Sequence, residues 1–207
     1  MLKLPKFQKE VMMKSVILGV LAALVLGGCA SSVEYANSSP QLKNAPSSRA
    51  DARAQIYVPA ADMKSETFAV SNDAGLDMKI DVDVDRYAQE TTAGFLANFY
   101  SGADKTSEPG GGLVFKPEVY NAKFELESAD VIAVDGKPFV EYIFDLKVYR
   151  GGTKIYDQRL NSGTRTYGEN VFFTKKELDL ASFGKLLQES IFRDLERNAA
   201  AITAVAR

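Results

Sequence analysis

The functional groups available to this chain restrict the chemistry that it can perform. The sequence contains no histidine and a single cysteine, Cys29. A Ser–His–Asp or Cys–His catalytic arrangement is therefore excluded, and so is a zinc site of the usual histidine and cysteine kind. Chemistry based on carboxylates, lysines, tyrosines and serines remains available.

Three aspartates at alternate positions, Asp81, Asp83 and Asp85, form the densest group of candidate metal ligands or acid–base residues. A calcium loop of the D-x-D-x-D-G form would need glycine where this chain has Arg86. Apolar and polar residues alternate strictly over 78–84, which predicts a half-buried strand. We therefore expect Asp81 and Asp83 on the exposed face of that strand and Asp85 at the N-cap of a following helix.

Two further patterns could suggest catalysis. The run 110–112 of three glycines could cradle a phosphate, but no Lys-Ser or Lys-Thr pair follows it, so a flexible hairpin loop is the prediction. Glu125 with Glu127, or Glu141 with Asp145, could act as a glycosidase pair, although no feature of the sequence brings either pair together. We expect exposed strand positions, no catalytic residue and no metal site.

Aromatic residues are concentrated in the second half of the chain. We expect most of them to be core residues or cross-strand partners in a sheet. The remainder could form a binding surface, because exposed aromatic side chains are common at protein interfaces. The segment Val171, Phe172 and Phe173, which precedes the last predicted helix, is the predicted contact point for a partner.

The N-terminal residues have the three-part layout of a secretory signal. Four lysines precede an uninterrupted apolar run, 16–26, and two glycines and Cys29 follow it. The run is shorter than the roughly 20 apolar residues that span a bilayer, so a retained transmembrane helix is the weaker interpretation. Met12 or Met13 would open a more compact signal than Met1, and we expect one of them to be the true start.

The residues Leu26-Gly27-Gly28-Cys29 resemble the bacterial lipobox, in which an aliphatic and two small residues precede a cysteine. The resemblance implies a signal peptide of residues 1–28, cleavage before Cys29, and acylation of its thiol with palmitate-type chains. The alternative is an ordinary signal peptide followed by a stray thiol. Ala30 and Ser31 follow, without the aspartate that retains lipoproteins in the inner membrane in enterobacterial-type sorting. The expected location is therefore the outer membrane, with the domain in the periplasm.

The mature chain is predicted to have two parts. Residues 29–53 are the lipidated cysteine and a polar, disordered tether with a reach of roughly 25 Å. Residues 54–207 form a single periplasm-facing domain. Removal of the signal changes the formal net charge from −2 to −5, because four lysines and one glutamate are lost. This mildly acidic balance gives no reason to expect nucleic acid as a partner.

The domain is predicted to be α+β, with an antiparallel β-meander sheet packed by two helices, the longer of them C-terminal. Alternation along 139–149 puts Val140, Tyr142, Phe144, Leu146 and Val148 on one strand face. Hairpin turns are predicted at Asp135-Gly136 and Gly151-Gly152. The remaining predictions are strands over 55–58, 66–70, 78–84, 114–127, 130–134 and 154–167, a loop over 103–112, and helices over 86–100 and 182–204.

A lipobox, a polar tether and a small α+β domain that ends in a long helix resemble the YajG-like and LPS-assembly lipoproteins, and the lipoprotein auxiliaries of envelope ABC transporters. The resemblance rests on element order over about residues 54–205. It implies a non-catalytic accessory or assembly role on an envelope complex. The expected partners are the membrane, through the lipid, and another envelope protein or an envelope glycan or lipid. The alternatives are a carrier of lipid or glycan, and a lipid-anchored hydrolase that uses carboxylates.

Overall fold

The computed structural model describes residues 31–33, 49–59, 66–71, 77–108, 110–128, 135–169, 171–172 and 180–205, with positions 40, 42 and 46. The strands are β1 (Ser31–Val33), β2 (Ala54–Tyr57), β3 (Glu66–Ser71), β4 (Asp77–Val82), β5 (Ala103–Thr106), β6 (Leu113–Ser128), β7 (Asp135–Arg150), β8 (Thr153–Ser162), β9 (Thr166–Tyr167) and β10 (Val171–Phe172). The helices are α1 (Val84–Leu96), α2 (Leu180–Arg197) and α3 (Ala199–Val205).

The larger sheet is built around β7, the central long strand. β6 lies antiparallel to one side of β7, and β8, β9 and β10 follow one another along the other side. Beyond β6 lies β2, which is parallel to both β6 and β5. The predicted meander is thus present in β6, β7 and β8, but the prediction of a purely antiparallel sheet is wrong. The chain between β2 and β5 includes α1, and a crossover of this kind returns the chain in the parallel direction.

A second, three-stranded sheet has the order β1-β4-β3. β1 runs parallel to β4, with Ser31 opposite Ile80 and Val33 opposite Val82. β3 runs antiparallel to β4. The prediction of a disordered tether is therefore wrong at Ser31–Val33, because even a short polar segment can supply backbone hydrogen bonds to a sheet edge.

The end of the predicted tether also contacts the folded body. Ala50 forms a parallel bridge with Tyr100, and its N–H donates to the carbonyl oxygen of Phe99 at 2.8 Å. The hydroxyl of Ser101 donates to the carbonyl oxygen of Asp51 at 3.2 Å. Residues 50–51 are thus anchored through their backbone, which a side-chain pattern does not reveal.

Helix α1 begins one position after Asp83, and not at Arg86 as the sequence suggested. The carboxylate of Asp83 accepts a hydrogen bond from the backbone N–H of Arg86 at 2.9 Å, so Asp83 is the N-cap. Asp85 lies in the first turn, where its negative charge is favourable at the positive end of the helix dipole. The N-cap assignment to Asp85 is wrong by two residues because Val84 is buried and helical.

The two predicted hairpin turns have different outcomes. Gly151 and Gly152 both have positive φ, 54° and 80°, and join β7 to β8 as predicted. Asp135 and Gly136 instead begin β7, because the pairing with β6 continues as far as Ser128 opposite Gly136. The predicted strand over 130–134 lies outside the described residues.

Two other boundaries were wrong. Ala103–Thr106, predicted as loop, is the edge strand β5, which pairs with β2 through its backbone while its charged side chains remain exposed. The predicted single C-terminal helix is divided at Asn198 into α2 and α3. The side-chain amide of Asn198 donates to the carbonyl oxygen of Asp194 at 2.8 Å, where such a contact competes with the regular helical pattern.

The hydrophobic core formed by the described residues lies between the helices and the inner face of the larger sheet. The alternating residues predicted for β7 are all buried there, while Glu141, Ile143, Asp145 and Lys147 on the opposite face are partly exposed. Residues from α1, α2 and α3 complete this core, among them Phe95, Leu187 and Ile202. Among the described residues, no helix is long and apolar enough to cross a membrane.

Candidate functional site

Three groups of polar side chains are candidates for function: a network on the outer face of the larger sheet, a buried cluster beneath α2, and a surface around β9. The outer network joins Tyr120, Asp145 and Arg159. The Tyr120 hydroxyl donates to Asp145 Oδ2 at 2.6 Å, and Arg159 Nε donates to Asp145 Oδ1 at 2.9 Å. The guanidinium of Arg159 also donates to the Tyr120 hydroxyl oxygen at 2.6 Å.

The electrostatics of this network oppose proton transfer at neutral pH. Hydrogen bonding from Arg159 lowers the pKa of Asp145, which makes its carboxylate a weaker base. Hydrogen bonding to Asp145 raises the pKa of Tyr120, which keeps the phenol protonated. A general acid–base residue needs a pKa near the operating pH. The network is therefore better suited to fixing three neighbouring strands, β6, β7 and β8.

A second carboxylate on the same face, Glu118, has similar surroundings. It pairs with Lys116 at 2.8 Å and also binds Lys147 on β7. Burial would raise the pKa of Glu118, but the hydrogen bonds from the two lysines lower it overall. Two of the carboxylates proposed as glycosidase pairs are also paired with cations: Glu125 with Lys123, and Glu141 with Arg165 at 3.5 Å.

The buried cluster joins Tyr142 on β7, Asn161 on β8 and Asp194 on α2. Asp194 Oδ2 accepts from the Tyr142 hydroxyl at 2.6 Å and from the Asn161 amide at 2.9 Å. All three residues are buried. Burial raises the pKa of Asp194, an effect that the hydrogen bonds from Tyr142 and Asn161 partly offset. Burial likewise raises the pKa of Tyr142 above its usual value, so the phenol remains a donor.

The sequence patterns did not predict this cluster, although the position of Asp194 in the helical repeat indicated it. Asp194 lies seven residues after Leu187 and three after Ile191, so helical periodicity places it on the apolar face of α2. A shifted pKa often marks a functional site. Here, however, the partners come from the sheet beneath the helix, and the amide oxygen of Asn161 is bound by the backbone N–H groups of Gly163 and Thr164. The arrangement ties α2 to β7 and β8.

The third candidate is the β9 surface, which we define as Lys137, Phe139, Arg165 and Tyr167. The rings of Phe139 and Tyr167 lie 5.5 Å apart. Arg165 lies 4.2 Å from the ring centre of Phe139, and Lys137 lies 5.2 Å from that of Tyr167. Tyr167 is 39% exposed, so a large ring flanked by two cations is open to solvent.

A groove adjoins the β9 surface, where the chain leaving β9 passes the start of α2. Its volume is about 190 Å³, and its lining combines apolar and charged residues: Pro138, Gly168, Glu169, Ser182, Lys185, Leu186 and Glu189. A Cβ at Gly168 would lie 3.1 Å from Cγ of Pro138 and 3.3 Å from Cδ2 of Leu186. Glycine therefore lets the strand and the helix approach closely at the floor of the groove.

The predicted contact segment lies at the same sheet edge. Val171 and Phe172 form β10, opposite Gly136 and Asp135 of β7, a few residues beyond Tyr167. Phe173 lies outside the described residues, as does Cys29. The contact role of this segment stays a prediction. The exposed ring of Tyr167, which belonged to the general group of aromatics in the sequence, is the additional surface residue that the structure provides.

The three aspartates considered as metal ligands occupy positions in β4 and at the start of α1. Asp83 caps α1, Asp81 lies in β4 and Asp85 lies in the first turn of α1. Among the described residues, no group of three or more cysteine or carboxylate side chains is arranged to hold a metal ion. The glycine run 110–112 directly precedes β6. The backbone N–H of Gly151, in the turn between β7 and β8, donates to the carbonyl oxygen of Gly112 at 3.1 Å.

Comparisons with known proteins give structural neighbours of low sequence identity. A protein of Xanthomonas campestris, assigned to family DUF330, is 8% identical with a TM-score of 0.46, over 85% of this chain and 95% of that one. A minor lipoprotein of Acinetobacter baumannii is 8% identical with a TM-score of 0.35, over 75% and 96%. No protein-family model matches the sequence, and neither does any curated protein.

Proposed function

We propose that this chain is a lipid-anchored, non-catalytic envelope lipoprotein that serves an envelope complex as an accessory or assembly module. Cys29 would carry the lipid, and the β9 surface would contact the partner. The lipobox-like residues 26–29 support the anchor. The outer membrane is the proposed location, since Ala30 and Ser31 follow the cysteine.

The observation that carries the binding role is the exposed ring of Tyr167. Aromatic and arginine side chains are enriched in the centres of protein interfaces. At the β9 surface the exposed ring of Tyr167 packs against the buried ring of Phe139, with a lysine and an arginine beside the two rings. A groove and the predicted contact segment lie next to them. This combination of ring, cations and recess favours recognition of another protein of the envelope.

The two alternatives have less support. A carrier of a whole lipid needs a large apolar cavity, and ligand pockets usually measure about 300–1,000 Å³. The groove beside the β9 surface, within the described part of the chain, measures about 190 Å³ and is lined partly by charged residues, so this groove does not fit a whole lipid. A carboxylate-based hydrolase needs an acid and a base with pKa values displaced in opposite directions. Asp145 and Glu118 on the outer face of the sheet are both displaced downward. Asp194, whose pKa is raised, is buried beneath α2 on the other face, where it cannot pair with them.

The anchor can be tested by metabolic labelling with an alkynyl palmitate analogue. We expect the label in the wild-type chain and its loss in Cys29→Ala, which should also accumulate as uncleaved precursor. Density fractionation of the labelled envelope then locates the protein. Labelling that survives Cys29→Ala would contradict the proposed anchor.

The contact surface can be tested with a photoreactive amino acid in native membranes. Benzoylphenylalanine placed at Tyr167 should give a discrete, stoichiometric protein adduct. Ile155, on β8, is a matched control because its side chain is 37% exposed, close to the 39% of Tyr167. Equal adducts at both positions, or none at Tyr167, would exclude this surface as the contact site, and co-purified lipid or glycan would favour the carrier.

The hydrolase alternative has a separate test. Glu125→Gln, Glu127→Gln, Glu141→Gln and Asp145→Asn remove the candidate carboxylates one at a time. We expect each variant to retain the cellular phenotype. Loss of the phenotype in a variant with an unchanged melting temperature would support catalysis and contradict the proposed function.

A further inference from the structure

The strand β8 forms a long, solvent-exposed part of one edge of the larger sheet. It has ten residues, and within the described part of the chain it pairs with β7 alone. Asp157, Gln158 and Arg159 are exposed in succession, so both faces of the sheet are open at this edge. By contrast, β5 at the opposite edge has only four residues. An exposed edge strand of the length of β8 offers backbone N–H and C=O groups to which a further strand can bind.

A second copy of the chain fits this edge because the charges of β8 complement one another in one register. Two copies related by a two-fold axis perpendicular to the sheet pair in the antiparallel direction, and one residue then lies opposite itself. With Gln158 at the axis, Asp157 of each copy lies opposite Arg159 of the other. Both side chains belong to the outer face, where β7 places Lys147 beside Asp157 and Asp145 beside Arg159. Two pairs of opposite charge result.

The neighbouring registers are unfavourable. If the axis moves by one residue, either Asp157 or Arg159 lies opposite itself, and like charges directly opposite one another destabilise a strand pair. The register centred on Gln158 also brings Tyr156 of each copy opposite Leu160 of the other, and both of these half-buried residues pack against the core side of the sheet. An apolar pair therefore accompanies each pair of charges.

The two charged side chains have room for a further partner. Arg159 uses Nε and Nη2 to bind Asp145 and Tyr120, and its side chain is 51% exposed. Asp157 binds Lys154 through Oδ2 and is 43% exposed. We propose that β8 is a self-association edge, at which two copies of this chain join β8 to β8 in the antiparallel direction about Gln158.

The test is oxidative crosslinking of the full-length chain in native membranes. Gln158→Cys places a thiol opposite its own copy. Directly opposed residues have Cα atoms about 4.5–5.5 Å apart, which is within the range for a disulfide. Lys154→Cys is the matched control, because it is exposed on the same strand but its two copies would lie about 27 Å apart. Copper phenanthroline should give at least ten-fold more disulfide-linked dimer at position 158, and the wild type, with Cys29 alone, sets the background.

Charge reversal tests the register. Asp157→Arg and Arg159→Asp, each combined with Gln158→Cys, put like charges opposite one another in a pair of identical chains. We expect the yield of dimer to fall several-fold in each variant. Co-expression of the two variants with different tags restores both pairs of opposite charge, so the mixed dimer should recover the yield of Gln158→Cys alone.

A further variant separates the register from folding. Arg159 also binds Asp145 in its own chain, so circular dichroism first establishes that Arg159→Asp is folded. If it is not, Arg159→Gln replaces it, since this change puts no negative charge beside Asp145. Mixed with Asp157→Arg, it should still give more dimer than Asp157→Arg alone.

The outcomes are distinct. Equal yields at positions 158 and 154, or a mixed dimer no more abundant than those of the single variants, would overturn the proposal. A disulfide from position 158 to another protein would show a different occupant of the edge and would overturn it as well. Self-association also predicts that benzoylphenylalanine at Ile155 gives an adduct of twice the mass of the chain, which distinguishes it from the adduct with another protein expected at Tyr167.

Discussion

Two tyrosine–aspartate pairs of equal length show how surroundings decide the role of a hydrogen bond. Tyr120 donates to Asp145 and Tyr142 donates to Asp194, in both cases at 2.6 Å. The first pair lies on the outer sheet face beside Arg159, whereas the second is enclosed between the sheet and α2. A buried polar group that loses its partner cannot regain one from water. The two pairs should therefore differ in their contribution to stability.

We predict that Tyr142→Phe lowers the free energy of unfolding by about 1–3 kcal/mol, because it leaves the buried carboxylate of Asp194 with one donor fewer. Tyr120→Phe removes a hydrogen bond of the same length from the outer face, where water can replace it. Its midpoint in urea should therefore fall much less than that of Tyr142→Phe. Equal losses in the two variants would mean that burial does not distinguish the pairs.

The raised pKa of Asp194 predicts a specific pH dependence. The folded protein holds the Asp194 proton at pH values where the unfolded chain, with a pKa near 3.8, has released it. The contribution of Asp194 to stability is therefore fully present below pH 3.8 and is lost as the pH rises through the raised pKa.

The Asp194→Asn variant has no titratable group at this position. The unfolding free energy of the wild type minus that of the variant therefore isolates the contribution of Asp194. The difference in unfolding free energy should become less favourable to the wild type as the pH increases from 3.8. Asp145 and Glu118, whose pKa values are lowered, give the opposite slope, but they are present in both proteins and cancel. Urea titrations at a series of pH values measure the difference, and a flat profile would contradict the prediction.

At the scale of elements, local patterns predicted which face of a strand is buried, but not which strands pair. Alternation along β7 identified its inner residues because the period of a strand is two. The parallel pairing of β2 with β5 depends on the α1 crossover, a relation between segments about 50 residues apart. The strand β1 has no pattern, since three residues are too few to show a period. The sequence did not predict the β9 surface itself. It indicated only that some aromatic residues in the second half of the chain could form an interface.

The N-cap of α1 provides a prediction at this scale. Asp83→Ala removes the acceptor for the N–H of Arg86 and should lower the free energy of unfolding by about 0.5–2 kcal/mol. Asp83→Asn is the control, because asparagine caps about as well as aspartate. Thermal unfolding followed by circular dichroism at a helix-sensitive wavelength compares the two. If the alanine and asparagine variants have the same melting temperature, Asp83 does not stabilise α1 as an N-cap.

At the scale of the molecule, the outer face of the sheet and the core differ in what their polar groups contact. The outer network and the β9 surface remain accessible to solvent and partners, while the polar cluster at Asp194 connects the helices to the sheet that carries them. The same sheet carries Tyr167 at one edge, in β9. Because Asp194 joins α2 to β7 and β8, the helix and these strands belong to one folded body.

A continuous core predicts that this body unfolds as a unit. Ile56 on β2 and Ile202 on α3 belong to the same cluster of buried residues, although they lie far apart in the sequence. We expect Ile56→Ala and Ile202→Ala each to lower stability by about 2–5 kcal/mol. The chain contains no tryptophan, and six of its nine tyrosines lie in the larger sheet, so tyrosine fluorescence reports mainly on the sheet. Circular dichroism at a helix-sensitive wavelength follows the helices. The two signals should change together in both variants, whereas Ile155→Ala, at an exposed position, should change stability by no more than about 0.5 kcal/mol. If Ile202→Ala shifted the helical signal alone, the helices and the sheet would be separate folding units, and Asp194 would not couple them.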